Sequence, residues 1–385
     1  MDWPLTPVDR LQHFRPPFCP RRRCPDHHAV SPPRFIRHGS YPTRRGSWVP
    51  RFRCRRCGGT FSRRAFSLTY YLKRPELLPR IAAGLQAASA HRQLARTLGC
   101  APSTVTRMSA RLGRHALLLL ARALHSLHGQ LQEPLVFDHF ETFELTQDLP
   151  FGVALPVGAH TWFIYGLEPA PHARTGRRTQ MQERRRRRRP PRPAHGGYTG
   201  SVTRMLDRLL PLVPSGRILH LRGDGHPAYG RSVHAHAGAS RMHLESHINP
   251  PRGPKGSPRS KRAMARDRAM FPVDCLHGLL RHSLASHRRE TIAFGRRINA
   301  LAERLFLAII WRNFVKKRSE RRSDPTTPAM LAGVTDKPWS WNRVLAQRIF
   351  PGREPAGGVW EEIYRRDWIT PALPANTRHR TVFTY

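Results

Sequence analysis

Four cysteines limit what the N-terminal part of this chain can fold into. They fall in two pairs, Cys19-Pro-Arg-Arg-Arg-Cys24 and Cys54-Arg-Arg-Cys57-Gly58-Gly59, with four and two residues between the thiols. The surrounding chain is rich in arginine and poor in apolar side chains, so it cannot close a hydrophobic core of its own. Two thiol pairs on tight turns suit a tetrahedral four-cysteine zinc site, and the zinc would then supply much of the folding energy. His27 and His28 follow the first pair closely, and either could replace Cys24 as a ligand. Arg51-Phe52-Arg53 and Thr60-Phe61-Ser62 read as the strands of a ribbon hairpin around the second pair. Arg21–Arg23, Arg55, Arg56, Arg63 and Arg64 stud the module and give it a surface suited to phosphate.

Residues 75–125 change to helical periodicity. Pro75-Glu76 opens a helix that runs to about Ala88, and His91–Leu98 forms a second. Gly99-Cys100-Ala101-Pro102 is a turn with Cys100 packed in it, and Pro102 suits the first turn of a third helix. That helix opens Ser103-Thr104-Val105-Thr106-Arg107 and extends through Leu117–Leu120. A short helix, a Gly-containing turn and a helix opening on Ser/Thr and Arg make a helix-turn-helix pattern, with Ser103, Thr104 and Arg107 towards a DNA groove. A plain helical hairpin used as a spacer would carry the same signature.

The charge agrees with a nucleic-acid partner. Lysine and arginine number 67 against 25 acids, a net +42 over 385 residues. Solubility needs far less, and a polyanion is the natural counterpart. No apolar run approaches the ~20 residues of a membrane span. Met1–Arg10 lacks the apolar core of a signal peptide, so a reducing, cytoplasmic and nucleoid-associated location is expected, with the cysteines as thiols or metal ligands.

Beyond residue 131 the pattern becomes α/β. Leu135–Leu145 alternates like a strand and carries Asp138. Arg217–Arg222 is a second strand running into Gly223-Asp224-Gly225. Two carboxylates on neighbouring strand ends are what a Mg²⁺ site for phosphoryl transfer needs, although ordinary strand-end acids look the same. Phe151–Val157 and Thr161–Leu167 complete a meander with the first strand. Ala170–Gly197 contains the run Arg184–Arg189, expected to be a loop extended by self-repulsion and suited to clamp nucleic acid. Tyr198–Leu212 is an amphipathic helix, His226–His236 a further helix and Ser240–His247 a strand. Asn249–Met270 reads as a basic insertion, and Phe271–His287 and Arg296–Phe314 as helices separated by a break at Glu290–Phe294. The tail, Asp324–Tyr385, carries Trp339, Trp341, Trp360 and Trp368, which should anchor short elements to the core.

Three strands, a helix, a strand ending in Asp, a helix, a strand and then helices is the element order of a ribonuclease H-like nuclease. Together with Cys54-Arg-Arg-Cys57, Leu221-Arg-Gly-Asp224-Gly225-His-Pro-Ala-Tyr229 and Leu279–Phe294, it resembles bacterial insertion-sequence transposases of the Asp-Asp-Glu type. Among these, the first-described insertion-sequence family joins a zinc ribbon and a helix-turn-helix to such a core. The likeness covers roughly residues 18–320; its Leu279–Phe294 part is similar to a helix rich in Leu and Arg followed by an Arg-Lys-Thr-Ile-Cys-Phe type sequence.

The resemblance implies a multi-domain chain: a basic arm (1–17), a zinc ribbon (18–66), a helix-turn-helix (67–130) and a ribonuclease H-like α/β core (131–320). The core would be a mixed five-stranded sheet flanked by helices, with basic insertions at 170–197 and 249–270, followed by an extension at 321–385. It implies that Asp138, Asp224 and a third acid hold two Mg²⁺ ions about 4 Å apart. They would serve phosphodiester hydrolysis at the element's ends and strand transfer into target DNA by a homo-oligomer. In the family the third acid is a Glu at the start of the helix preceding the Thr-Ile-x-Phe stretch. Counting back from Phe294 reaches Asp274, an Asp instead; Glu303 and Glu290 are the alternatives, each also able to pair with a nearby arginine. Glu141 could assist or replace Asp138. A catalytically inert, zinc-containing sequence-specific DNA-binding protein would share the same charge and modules.

Overall fold

The computed structural model describes residues 14–30, 33–43, 48–173, 179–187, 196–251, 253–254, 256–288, 291–321 and 323–368. Most of the basic arm, Arg188, Arg189 and Glu290 lie outside them.

The first unit is a three-stranded antiparallel sheet: β1 (Phe35–Pro42), β2 (Trp48–Cys54) and β3 (Thr60–Ser62), in that order. The expected hairpin is β2–β3, with Phe52 opposite Phe61. Strand β1 escaped sequence reading because its residues are nearly all exposed and show no alternation. Phe52, Phe61, Ala65 and three of the cysteines form a small core of their own, with Phe14, Phe35 and Phe66 against it.

Three helices follow, α1 (Leu77–Gln86), α2 (His91–Thr97) and α3 (Pro102–Ser126). The mixed sheet is then built from β4 (Leu135–His139), β5 (Thr142–Phe143), β6 (Pro150–Gly158) and β7 (Glu168–Pro171). After α4 (Gln180–Arg187) and α5 (Gly197–Leu209) come β8 (Leu219–Gly223), α6 (Pro227–Ala235) and β9 (Met242–Ser246). The chain continues with α7 (Lys261–Ser283), α8 (Ile298–Ile310), α9 (Pro328–Leu331), α10 (Trp341–Val344) and α11 (Gly358–Arg365). Strand β6 runs antiparallel to β4 on one edge and to β7 on the other, while β8 is parallel to β4 and β9 parallel to β8. The order across the sheet is therefore β7-β6-β4-β8-β9, with the short β5 pairing β6 beyond the end of β4.

Several segments differ from the sequence reading. The third strand of the meander is Glu168–Pro171; Thr161–Leu167 makes one isolated bridge, Ile164 to Val157. Asn313 satisfies Ile164 instead, its side chain bonding both the N–H (2.9 Å) and the C=O (3.0 Å). Residues 261–270, expected in a basic insertion, are the first turns of α7, which Ser260 caps through the Ala263 N–H (3.1 Å). The arginine run is helical over Arg184–Arg187, at the end of α4. The strand through Asp138 ends at His139 rather than running to Leu145, which sits at φ 63°.

Helix α3 does not stop at a domain boundary. Its N-terminal turns are exposed at Ser103, Thr106 and Arg107, but from Met108 onward it is mostly buried and packs along α8. Gly113 marks the crossing, where a methyl group would overlap the Glu303 backbone carbonyl. Arg111 donates to the carbonyls of Leu68 (2.8 Å) and Tyr70 (2.7 Å), and His115 Nε2 donates to Val344 (2.7 Å). The tail closes the layer as expected: buried Trp360 donates to Leu167 O (2.9 Å), and the Arg208 guanidinium lies 3.7 Å above its ring. No helix among the described residues is long and apolar enough to cross a membrane.

The helix crossing is open to a direct test. Gly113→Ala should lower unfolding stability by about 1–3 kcal/mol, because only backbone could give way, as read by denaturant titration. Gly278→Ala on α7 meets nothing within 4 Å and should instead be neutral or slightly stabilising. Separately, burial pushes the His115 imidazole down to about 4, so the folded chain refuses a proton that the unfolded chain accepts. Stability should therefore fall as pH drops from about 6.5 towards 4, by up to about 3 kcal/mol for this group. His115→Gln, which keeps a donor for Val344, should flatten that slope in melts taken across the range.

Candidate functional site

The two cysteine pairs meet. The Sγ atoms of Cys19, Cys24, Cys54 and Cys57 all lie within 4.8 Å of one another. The Cys19–Cys57 and Cys24–Cys54 separations are both 3.8 Å. A tetrahedron with Zn–S bonds of about 2.3 Å has edges of about 3.8 Å, so the set can hold one metal ion and suits zinc. Backbone turns aim the thiols: Cys24 N–H bonds to Arg21 O (3.0 Å), and Cys54 N–H to Gly59 O (3.0 Å). Burial pushes the Cys19 thiol up strongly and the Cys54 thiol up to about 11, a cost that a bound divalent cation would remove. The histidine alternatives to Cys24 are not used. His27 Nδ1 is 2.7 Å from Cys19 O and holds that loop, while Cys24 completes the cluster.

The strand-end acids also come together. Strands β4 and β8 pair in parallel with Val136 opposite Arg222, so two residues further on Asp138 is level with Asp224. Gly223, the last residue of β8, leaves room for the Tyr229 ring, which a side chain there would strike. Tyr229 Oη donates to Asp138 Oδ1 (3.1 Å), and the His139 N–H donates to the same oxygen (2.7 Å). Buried His139 supports Tyr229, with Nδ1 2.8 Å from its hydroxyl and Nε2 2.8 Å from Ser201 Oγ on α5. Asp138 Oδ2 makes no hydrogen bond among the described residues; His277 Nδ1 on α7 stands 3.9 Å away. Asp224 Oδ1 accepts from the His226 N–H (3.0 Å) at the turn into α6.

The electrostatics single this pair out. Burial, then the nearby Asp224 charge, push the Asp138 carboxyl up to about 7. Among the described residues no lysine or arginine nitrogen lies within 4.0 Å of either carboxylate, in a chain with 67 such residues. Two fully buried acids are met by arginine: Glu168 by Arg204 and Arg208 (3.3 Å each), Glu303 by Arg366 (2.6 and 2.7 Å), while buried Glu144 accepts from the Ile298 N–H (2.7 Å). A carboxylate pair left without a basic partner is a fit for a divalent cation.

The third acid is less simple. Asp274 lies on α7, close enough for its charge to act on Asp138, but its carboxylate is ion-paired with Arg266. Glu303 is buried between α3 and α8 and pairs with Arg366 from the tail, not locally on its own helix. Glu141 accepts from the Tyr198 hydroxyl and stands 3.0 Å from His172 Nε2; it lines a cavity of about 310 Å³ with Arg281 and Arg288. Among the described residues, the cysteines are the one cluster of three or more donors gathered within 4.8 Å, so the acids are near one another without being that tight.

Ser103 and Arg107 are exposed on the first turns of α3 and Thr104 is half-buried, with Arg92 and Arg96 exposed on α2. Sequence reasoning missed His139, Tyr229 and His277 as neighbours of Asp138. The spacing Asp274-x-x-His277 on a helix was the available sign for His277, since it sets both on one face.

Scanned against protein-family models, and searched against curated proteins and solved structures, the chain finds no match.

Stripping the metal with a strong chelator, or making Cys57→Ser, should unfold residues 18–66 while leaving the mixed sheet folded. Limited proteolysis should then cut within that segment at least about tenfold faster, with the α/β fragment persisting. Equal cleavage with and without zinc would exclude a structural metal there.

Proposed function

We propose that this chain is a DNA transposase with a ribonuclease H-like core, binding element ends through its zinc module and helix-turn-helix and cutting and joining DNA strands with Mg²⁺. The observation that carries the reading is the pair of carboxylates, Asp138 and Asp224, on adjacent parallel strand ends, without a lysine or arginine partner among the described residues. The mixed sheet, with β4, β8 and β9 parallel and β6 and β7 antiparallel beside them, supports it, since the resemblance implies a mixed sheet, although the short β5 makes six strands where five were expected.

Asp138 and Asp224 would hold the metal, with Asp274 a further acid whose charge reaches Asp138. The bound ion would activate water or a DNA 3′-hydroxyl and stabilise the leaving oxygen. Tyr229 and the His139 N–H fix one oxygen of Asp138, so its other oxygen stays available. Arginines steady phosphates and cannot act as bases, being always charged. The net charge of +42 supports DNA as partner, and self-association on paired ends follows from the resemblance.

One observation favours a second reading, an inert DNA-binding protein: Arg266 occupies the Asp274 carboxylate. Cleavage of short duplexes in Mg²⁺ and in Ca²⁺ separates the two. Asp224→Asn should abolish Mg²⁺-dependent cleavage by at least about 10³-fold while changing duplex affinity less than about twofold. Arg107→Ala should weaken binding by about 1–3 kcal/mol if it reads a base, or lower the salt slope by about one if it meets phosphate. Cleavage by Asp224→Asn at the wild-type rate would remove the proposed active site.

A further inference from the structure

We propose that Trp162 and Phe271, with the Arg318 guanidinium, form a platform on which a base of single-stranded DNA stacks near the strand-end acids. The proposal rests on the reading of DNA as the partner. Phe271 lies on α7, one turn before Asp274, and is 52% exposed. Its ring packs against Trp162, with centroids 5.6 Å apart and the planes inclined at 58°. Trp162 is itself only half-buried, in the loop after β6, and two guanidinium groups approach its ring, Arg318 at 5.0 Å and Arg312 at 5.7 Å. A lone exposed phenylalanine needs no explanation. Two rings in contact, one of them open and the other flanked by guanidinium, offer π-faces and positive charge together. A nucleotide brings the complement of both, a flat base and a phosphate.

Three distant segments build this arrangement. Trp162 holds φ 62°, a backbone region that large side chains rarely adopt, with its N–H bonded to Gly158 O (3.1 Å). Arg312 is buried in the π-helical turn Trp311–Val315 that follows α8, and such turns recur at functional sites. Its guanidinium donates to Lys317 O (3.1 Å) and so pins the loop that brings Arg318 to Trp162. Lys317, Arg321 and, one turn before Phe271, Arg268 are exposed and add positive charge along two of these segments. The acids there are already engaged: Asp267 is ion-paired to Arg259, and Glu320 to Lys316. From Phe271 to His277, whose Nδ1 is 3.9 Å from Asp138 Oδ2, the helix rises about 9 Å. Stacked nucleotides at ~3.4 Å each cover that in about three steps. The platform would therefore hold a base about three nucleotides from the phosphate at the acids.

The test uses the full zinc-loaded chain and a single strand of about twelve thymidines in which 5-iodouracil replaces one base, a length within the range such grooves hold. Irradiation should join the iodouracil to the peptide carrying Trp162 or Phe271, as read by mass spectrometry. Phe271→Ala should abolish that crosslink and weaken single-strand binding about tenfold, the loss expected for one stacked base, with duplex affinity kept within about twofold. Phe271→Tyr should keep both crosslink and affinity, whereas Phe271→Leu, apolar but without a π-face, should behave as the alanine variant does. Unchanged single-strand affinity in Phe271→Ala, or full retention in Phe271→Leu, would overturn the platform. Single-stranded RNA of the same length bound at least about tenfold more tightly would overturn DNA as its occupant. Cleavage in Mg²⁺ without the crosslink would sink the platform alone. The crosslink in a chain that cannot cleave would sink the transposase reading and leave the platform standing.

Discussion

The close crossing of α3 and α8 at Gly113 and Glu303 is the constraint on which the rest of the arrangement depends. Glycine lets the two backbones approach, and the Glu303 carboxylate beside the contact is neutralised by the bidentate Arg366 guanidinium, with Arg114 3.9 Å away. A buried acid at a helix crossing is costly unless so paired. Arg366 arrives from the last described helix, so the crossing recruits the tail as well as the core. One end of α3 thereby presents Ser103 and Arg107 to solvent, while the rest forms part of the central layer. At 25 residues and ~1.5 Å each, α3 is a rod of about 37 Å that ties the surface expected to read DNA to the body holding the acids. Helices α3 and α8, on either side of residue 130, pack against each other.

Charge is distributed with the same economy. Arginine dominates the chain, and it neutralises Glu168, Glu303, Glu354 and Asp274. Asp138 and Asp224 stand apart from that pattern, surrounded by neutral tyrosine and histidine. Burial holds His139 and His277 well below the ordinary imidazole range, so neither offers a positive charge. Among the described residues the strand ends thus have no fixed lysine or arginine charge beside the two carboxylates.

Much of this was legible in the residues, for physical reasons that differ from element to element. Paired cysteines and amphipathic helices announce themselves because their spacing is local. Asp138 and Asp224 were each legible as strand carboxylates, but the pattern ran on to Leu145 where the strand ends at His139. What stayed hidden depends on distant partners. Thr161–Leu167 looks like a strand until Asn313 satisfies Ile164 from 149 residues away. Glu303 looks like a surface helix acid until Arg366 reaches it from 63 residues on. The helical start of α7 was masked by its basic composition, because charge says little about backbone once a Ser cap and a buried face are present.

The tail also reaches the cysteine module. Phe350 packs edge-on against Phe18 (5.1 Å), Arg348 donates to Ala65 O (3.1 Å), and Arg353 donates to His27 O (2.6 Å) with its guanidinium above Phe18. A chain emerging from the ribosome would carry Phe18 and Phe66 without Phe350 over them until residues 348–353 were made. Translation products that stop short of residue 348 would then keep a sticky, half-finished cysteine module.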